Sequence, residues 1–375
     1  MRPPILFPAA YQRGQVFADR FRDARPSFLC VLGHTDTCLI PGVSSAGVSP
    51  ELRPLTPAAD AEVVHLGRPV CLPELPSNPL GAPGPAGITR AALQFADLRA
   101  SFVGAGLRIW PATACVQVST VPGADIRLGR SVPNAADLFE TGLGLGRRLA
   151  SEHAYLVIGE SVPAGTTTAL AVLLALGYAA HGRVSGSMPG NSHALKREIV
   201  SAAMRAAGLE PGDGRRAPLA AVAAIGDPMQ PLVAGLALGA ASLGCDVLLA
   251  GGSQMLAVAA LVEALHGPVA LERMAVGTTR WIVEDPAADI PGLAADISAD
   301  LPVLAANLDF SGSRHAGLRS YEQFLVKEGV GAGGACIAAL LATGLPIERL
   351  EHAIDTTYDG LLGRLQVITR AADRL

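Results

Sequence analysis

The sequence predicts an α/β protein built on a mostly parallel sheet flanked by helices. Two observations carry that expectation. Short apolar runs alternate with helical patterns along most of the chain, the order that βα units require. The composition is 50% hydrophobic and only 17% charged, with 42 glycines, which suits strands buried on both faces and closely packed helices. The chain end adds a third observation. Three helical patterns follow one another there without a strand between them, pointing to a small helical subdomain or an oligomer arm.

Strands are expected at 27–32, 107–118, 154–158, 219–225, 246–250, 269–276 and 302–308, each a largely apolar run between turn signals. Helical patterns lie near 89–102, 135–152, 167–180, 192–207, 230–243, 253–265 and 293–299. The window 218–244 is the most membrane-like. Asp227, Pro228, Gln230 and Pro231 interrupt it, so it reads as a strand followed by a helix. The three terminal helices are expected at 318–327, 333–341 and 347–371. The segments 33–60 and 78–87 are loop-rich; the second is either a linker or the ordered rim of a site.

Charge and cysteine usage narrow the function classes. With 29 basic and 33 acidic residues the net charge is -4, so there is no electrostatic footprint for nucleic acid or an anionic membrane. The six cysteines are scattered without a Cys-x-x-Cys pair or zinc spacing, and most sit in apolar runs, as expected in a reducing cytoplasm. Prolines break the stretch Met1 to Pro8, which lacks the continuous apolar core of a signal peptide. His34 and Asp36 have no third ligand, and no metal or cofactor is expected.

The most informative stretch is Leu156-Val157-Ile158-Gly159-Glu160-Ser161-Val162-Pro163-Ala164-Gly165-Thr166-Thr167-Thr168-Ala169. An apolar strand runs into a carboxylate, a Pro/Gly turn, three hydroxyls and a small-residue helix. Such a turn sets backbone N–H groups at a positive helix N-terminus, a good anion site. The alternative is a structural turn whose threonines cap the helix. It is not a Walker loop, for no Gly-Lys-Ser/Thr follows. Further polar or glycine-rich turns occur at Gly33-His34-Thr35-Asp36, Gly226-Asp227-Pro228 and Gly251-Gly252-Ser253-Gln254, and ligands of open α/β sheets collect at strand carboxyl ends. A fifth glycine-rich element spans Lys327 to Gly334. If it is a helix–helix turn, Glu328 is a last-turn carboxylate, disfavoured by the macrodipole and therefore a functional candidate. Lys196, Arg197 and Arg205 could reach a phosphate but read first as a solvated basic helix face.

With these turns placed, the chain resembles the nicotinate-nucleotide–dimethylbenzimidazole phosphoribosyltransferase family, in its archaeal and cyanobacterial branch. The segments that carry the resemblance are Gly159 to Ala169, Gly226 to Gln230, Asp246 to Gly252 and Glu328 to Ala332, with Val43 to Leu52 and Thr56 to Glu62 near the N-terminus. The resemblance implies a Rossmann-like sheet over 25–315, a small, mainly helical subdomain from the chain ends (1–24 and 316–375), and a homodimer. It also implies transfer of ribose 5-phosphate from nicotinate mononucleotide to a benzimidazole or purine-type base in cobamide lower-ligand assembly. Glu328 then matches the general base, with Glu160 as the second catalytic candidate. Gly165, Thr166 and Thr167 fall on the nucleotide-binding turn and Gly329 and Gly331 on the phosphate-side loop, with Asp227, Gly251 and Gly252 as further substrate contacts. The bacterial enzymes have a Gly-Ile-Gly-Asn-Thr-Thr-like turn where this chain has Ser161 to Thr167, and their Lys-Pro-Pro-Gly-Ser-Leu-Gly segment has no counterpart here. The acceptor base stays open, and a non-catalytic nucleotide- or phosphate-binding protein is the alternative reading.

Overall fold

The computed structural model describes residues 2–47, 49–78 and 80–372, of which 363–372 by backbone alone. Among them, strands β1 (Ile5–Ala9), β2 (Ser27–Gly33), β3 (Ala100–Ala105), β4 (Val116–Ser119), β5 (Tyr155–Ser161), β6 (Asp246–Ala250), β7 (Met274–Thr279) and β8 (Val303–Ala306) form one sheet. The order is β1-β8-β7-β6-β5-β2-β3-β4, and every pairing is parallel except that of β1 with β8. The mostly parallel α/β architecture expected from the sequence is therefore what the chain adopts.

Successive strand residues face opposite sides of a sheet, and here both sides are core. Leu29, Val31, Leu156, Ile158, Val247 and Leu249 join one hydrophobic cluster; Phe28, Cys30, Tyr155, Val157, Leu248 and Ala250 join the other. Helices Ala135–Ala150, Gly165–Ala175, Met229–Ser242 and Ser253–His266 cover the first face. Helices Thr56–Leu66, Ala86–Phe95 and Ala332–Thr343 cover the second, together with the start of Ile347–Ala372. Both chain ends feed this second cluster, through Ile5 and Phe17 on one side and Leu350 and Ile354 on the other.

Several local expectations give way, each for an identifiable reason. Residues 219–225 are not a strand but the helix Pro218–Ile225. Proline at the first helical position and an alanine-rich octet favour helix, and so short an apolar run carries no usable period. The helical pattern at 89–102 stops at Phe95, and β3 begins at Ala100. The strand expected at 107–118 shrinks to β4, because Gly106 turns the chain at φ 75. The strand expected from 269 starts at Met274, after a 3-10 turn at Pro268–Leu271. In place of a helix at 318–327 there are two single turns, Ala316–Arg319 and Ser320–Gln323. Phe324, Val326 and Lys327 then take φ of 58, 67 and 69, a backbone that no right-handed helix accepts. At the N-terminus the proline-broken stretch forms β1, and an edge position tolerates its Pro8. Of the segment 78–87, residues 80–85 run into helix Ala86–Phe95, with Gly84 N donating to Pro76 O at 2.7 Å; residue 79 lies outside the described residues. No helix of the described residues is long and apolar enough to cross a membrane.

The strand order has a consequence for ligand binding. From β2 the chain builds outward through β3 and β4; from β5 it builds the other way through β6, β7 and β8. The order reverses between β2 and β5, and ligands of open α/β sheets bind beyond the strand carboxyl ends at such a switch point.

Candidate functional site

A cleft of about 1030 Å³, counting its open mouth, lies at that switch point. Its walls come from Val43 to Gly47 after β2, Glu160 to Thr166 after β5, and Gly252 to Gln254 after β6. Ser185 to Met188, the loop at 326–330 and helix Thr56–Leu66 close it.

The β5 turn enters helix Gly165–Ala175 through Ala164 at φ 65, which sets the helix N-terminus against the cleft. Gly165 and Thr166 line it. Thr167 is fully buried, and its hydroxyl has no hydrogen-bond partner among the described residues. Thr168 Oγ1 lies 2.5 Å from Asp227 Oδ2, while Asp227 Oδ1 accepts from Met229 N at 3.0 Å. Asp227 thus sits beneath the turn, fully buried, and joins two helix starts without lining the cleft. It follows a helix rather than the strand expected there.

The loop carrying Glu328 reaches the same place. Val330 N donates to Glu160 O at 2.9 Å, and Gly331 (φ 65) lies so close to Gly159 that a Cβ on Gly159 would sit 3.1 Å from its Cα. Two glycines are what let this loop touch the end of β5. Glu328 stands just before helix Ala332–Thr343, not at the end of one: its carboxylate accepts from Gly329 N (3.1 Å) and from Gly333 N (3.1 and 3.2 Å). The expected macrodipole conflict is absent, since a carboxylate at a helix N-terminus is favoured. Burial nevertheless pushes Glu328 up to about 7 against these backbone donors, while the half-buried side chain keeps access to the cleft. Glu160, 2% exposed, is pushed up to about 8, first by burial and then by the charges of Asp227 and Glu328.

Two buried lysines lie at or next to the cleft wall. Lys327 Nζ donates to Asp285 Oδ2 at 2.6 Å and to Asn191 Oδ1 at 2.7 Å. Burial raises the Asp285 carboxyl, but Lys327 and Asn191 hold it below the usual carboxylate range. Lys196, 1% exposed, lines the cleft, and its ammonium has no hydrogen-bond partner among the described residues. Desolvation, then the charge of Lys327, lowers it to about 7. A Cβ on Gly186 would lie 2.7 Å from Lys196 Nζ and 3.6 Å from Thr166 Oγ1, so the ammonium and that hydroxyl converge on one spot.

Of the residues singled out from sequence, Glu160, Glu328, Gly165, Thr166, Gly252 and Gly329 line the one cleft; Thr167, Asp227, Gly251 and Gly331 lie behind its wall. Lys196 does not belong to a solvated face. It shares the buried stripe Lys196, Ile199, Val200, Ala203, Met204 of helix His193–Ala207, and a lysine at such spacing was the signal that could have marked it. Asp60, Asn78 and Ser161 fall in segments singled out from the sequence but none was named as a site residue, and Asn191 was not singled out, because nothing local marks its side chain for the cleft.

No protein-family model matches the chain. It is 45% identical over 338 residues to a UPF0284 protein of Methanothermobacter thermautotrophicus, covering 89% of this chain and 93% of the relative. It is 48% identical over 365 residues to UPF0284 protein glr4139 of Gloeobacter violaceus, covering 95% and 94%. Among solved structures, the nicotinate-nucleotide–dimethylbenzimidazole phosphoribosyltransferase from Thermus thermophilus superposes with a TM-score of 0.58 at 18% identity, over 92% of this chain and 89% of that one. CobT from the same organism gives a TM-score of 0.55 at 17% identity, over 89% and 84%. The chain therefore belongs to the UPF0284 family, on the fold of those phosphoribosyltransferases.

Proposed function

We propose that this cleft transfers ribose 5-phosphate from nicotinate mononucleotide to a ring nitrogen of a benzimidazole or purine-type base, in cobamide lower-ligand assembly. The observation that carries the reading is Lys196: a buried, unpartnered ammonium converging with Thr166 at a helix N-terminus, in the same cleft as two carboxylates. An isolated buried charge is costly, and a phosphate supplies the missing counter-charge.

The chemistry uses groups already in place. The lone pair of the acceptor nitrogen forms the new bond to C1′ of the ribose. The bond from C1′ to the pyridinium nitrogen breaks, its electron pair returns to that nitrogen, and nicotinate leaves without needing a proton. The acceptor's N–H proton passes to Glu328, whose value of about 7 suits a base working near neutrality. Glu160, at about 8, keeps its proton at pH 7 and spares the ionised Glu328 a second negative neighbour. Holding donor and acceptor in line supplies the larger share of the acceleration. The same reading makes the protein a cytoplasmic homodimer.

The test is direct. Incubation with nicotinate mononucleotide and 5,6-dimethylbenzimidazole or adenine is expected to release nicotinate in step with an α-configured ribotide, followed by chromatography. Tight nucleotide binding without release across a panel of bases would overturn transfer and leave the non-catalytic nucleotide-binding reading.

A further inference from the structure

Beyond the carboxylates the cleft ends in a second polar cluster. Thr56 and Asp60 stand one turn apart on helix Thr56–Leu66, and Asn78 comes from the segment that precedes helix Ala86–Phe95; all three line the cleft and are nine-tenths or more buried. Each carries one atom without a hydrogen-bond partner among the described residues: Thr56 Oγ1, Asp60 Oδ1 and Asn78 Nδ2. Their remaining bonds fix them in place. Asp60 Oδ2 accepts from Ser161 Oγ at 2.7 Å, so the cluster abuts the residue after Glu160. Asn78 Oδ1 accepts from Leu80 N at 3.0 Å and from Ala82 N at 2.8 Å, which leaves its amide N–H groups for the cleft. The loop is pinned from behind, as Tyr321 Oη donates to Pro83 O and Tyr358 Oη to Gly84 O. The unmet polar atoms of this wall are an acceptor, a donor and a hydroxyl.

We infer that Asp60, Asn78 and Thr56 read the far edge of the acceptor base and select an aminopurine-type ring, with an exocyclic N–H beside a ring nitrogen, over an alkylated benzimidazole. The inference rests on the transfer reading for the role of the base, and adds which base the site prefers. An exocyclic amino group donates to Asp60 Oδ1, and the neighbouring ring nitrogen accepts from Asn78 Nδ2. Methyl groups at that edge satisfy none of the three atoms, and a site built to pair a substrate N–H discriminates strongly against an analogue lacking it. Burial pushes Asp60 up to about 7 against the hydroxyl of Ser161, and it is the ionised carboxylate that accepts from the amine.

The experiment measures kcat/KM for nicotinate release with adenine and with 5,6-dimethylbenzimidazole, in the full chain and in Asp60→Leu and Asp60→Asn. The expected result is a preference for adenine on the order of 10²-fold, collapsing toward unity in Asp60→Leu. Asp60→Asn keeps shape and serves if the leucine variant does not fold; it too should erase most of the preference. A preference for the dimethyl base, or an unchanged ratio in the variants, overturns the inference and leaves transfer standing. If no base releases nicotinate, transfer fails, and equilibrium binding of the two bases decides: tighter adenine binding that Asp60→Asn abolishes upholds the selection, whereas equal or absent binding overturns it.

Discussion

Lys327 and Lys196 are both buried beside the same cleft, and they are satisfied in opposite ways. Lys327 bonds Asp285 and Asn191; Asp285 also accepts from Ser185 Oγ at 2.9 Å, and Asn191 Nδ2 donates to Ala287 O at 3.0 Å. Lys196 has no partner among the described residues. Helix Thr56–Leu66 repeats the contrast. Glu62 accepts from Val70 N, Cys71 N and Ala112 N, while Asp60, half a turn earlier, keeps one oxygen unmatched. The closed groups fasten segments far apart in sequence. The residues that carry these two open groups, Lys196 and Asp60, both line the cleft, where a ligand can complete them. Removing a closed group should therefore damage the fold, and removing an open one should damage function and spare the fold.

The largest effect should come from Glu328, which is half open. Glu328→Gln keeps its shape and its hydrogen bonds from Gly329 and Gly333 but cannot take a proton, so nicotinate release should fall about 10²–10⁴-fold while nucleotide affinity holds. In the unaltered protein, release should rise with pH through about 7 as Glu328 ionises. Full activity in the variant would remove Glu328 from the base role. Next in size is Lys327→Met. It strands Asp285 as an uncompensated buried carboxylate and should lower stability by about 3–5 kcal/mol, measured from urea midpoints. Restoring most of that loss by adding Asp285→Leu would mark the pair, not the lysine alone, as the structural unit. Lys196→Met should do the reverse and raise stability by about 1–3 kcal/mol, since it deletes an unpaired buried charge. It should also abolish any rise in melting temperature caused by inorganic phosphate. A variant as destabilised as Lys327→Met would break the contrast between the two lysines.

What the sequence disclosed follows the same division between local and distant causes. Strands β2, β5 and β6 were legible as apolar runs because parallel strands are buried on both faces, and the turn after β5 was legible because polar residues there have few purely structural uses. Residues 218–225 misled because an alanine-rich apolar octet has no period that separates strand from helix. The 324–327 segment misled because positive φ at Val326 and Lys327 is imposed from elsewhere: Val326 N donates to Ser187 O, and Thr279 Oγ1 to Lys327 O. Lys196 was half legible, through its place on a buried stripe. Asp60 and Asn78 were not, since an unmatched atom is defined by the partners that fail to reach it, and those lie on other segments.

The smallest predicted effect is on stability against pH, and it tests whether the open groups titrate as their surroundings demand. Glu160 is raised from 4.5 to about 8 and Glu328 to about 7, so between pH 4.5 and those values the folded protein holds protons that the unfolded chain has lost. Their contribution to stability is present below pH 4.5 and is lost as pH rises toward 8. Lys196, lowered from 10.5 to about 7, has the opposite sign: between pH 7 and 10.5 the unfolded chain holds the extra proton, and stability recovers as pH rises. Stability measured by thermal unfolding should then fall from pH 5 toward pH 7–8 and rise again toward pH 9. Other titrating groups add to the raw curve, so the informative quantity is a difference. Subtracting the Glu160→Gln curve should leave a slope confined to pH 4.5–8, and subtracting that of Lys196→Met a slope of opposite sign above pH 7. Flat difference curves would mean that solvent reaches both groups in the folded state, and the cleft would then lack the dry interior on which the separation of closed and open charges depends.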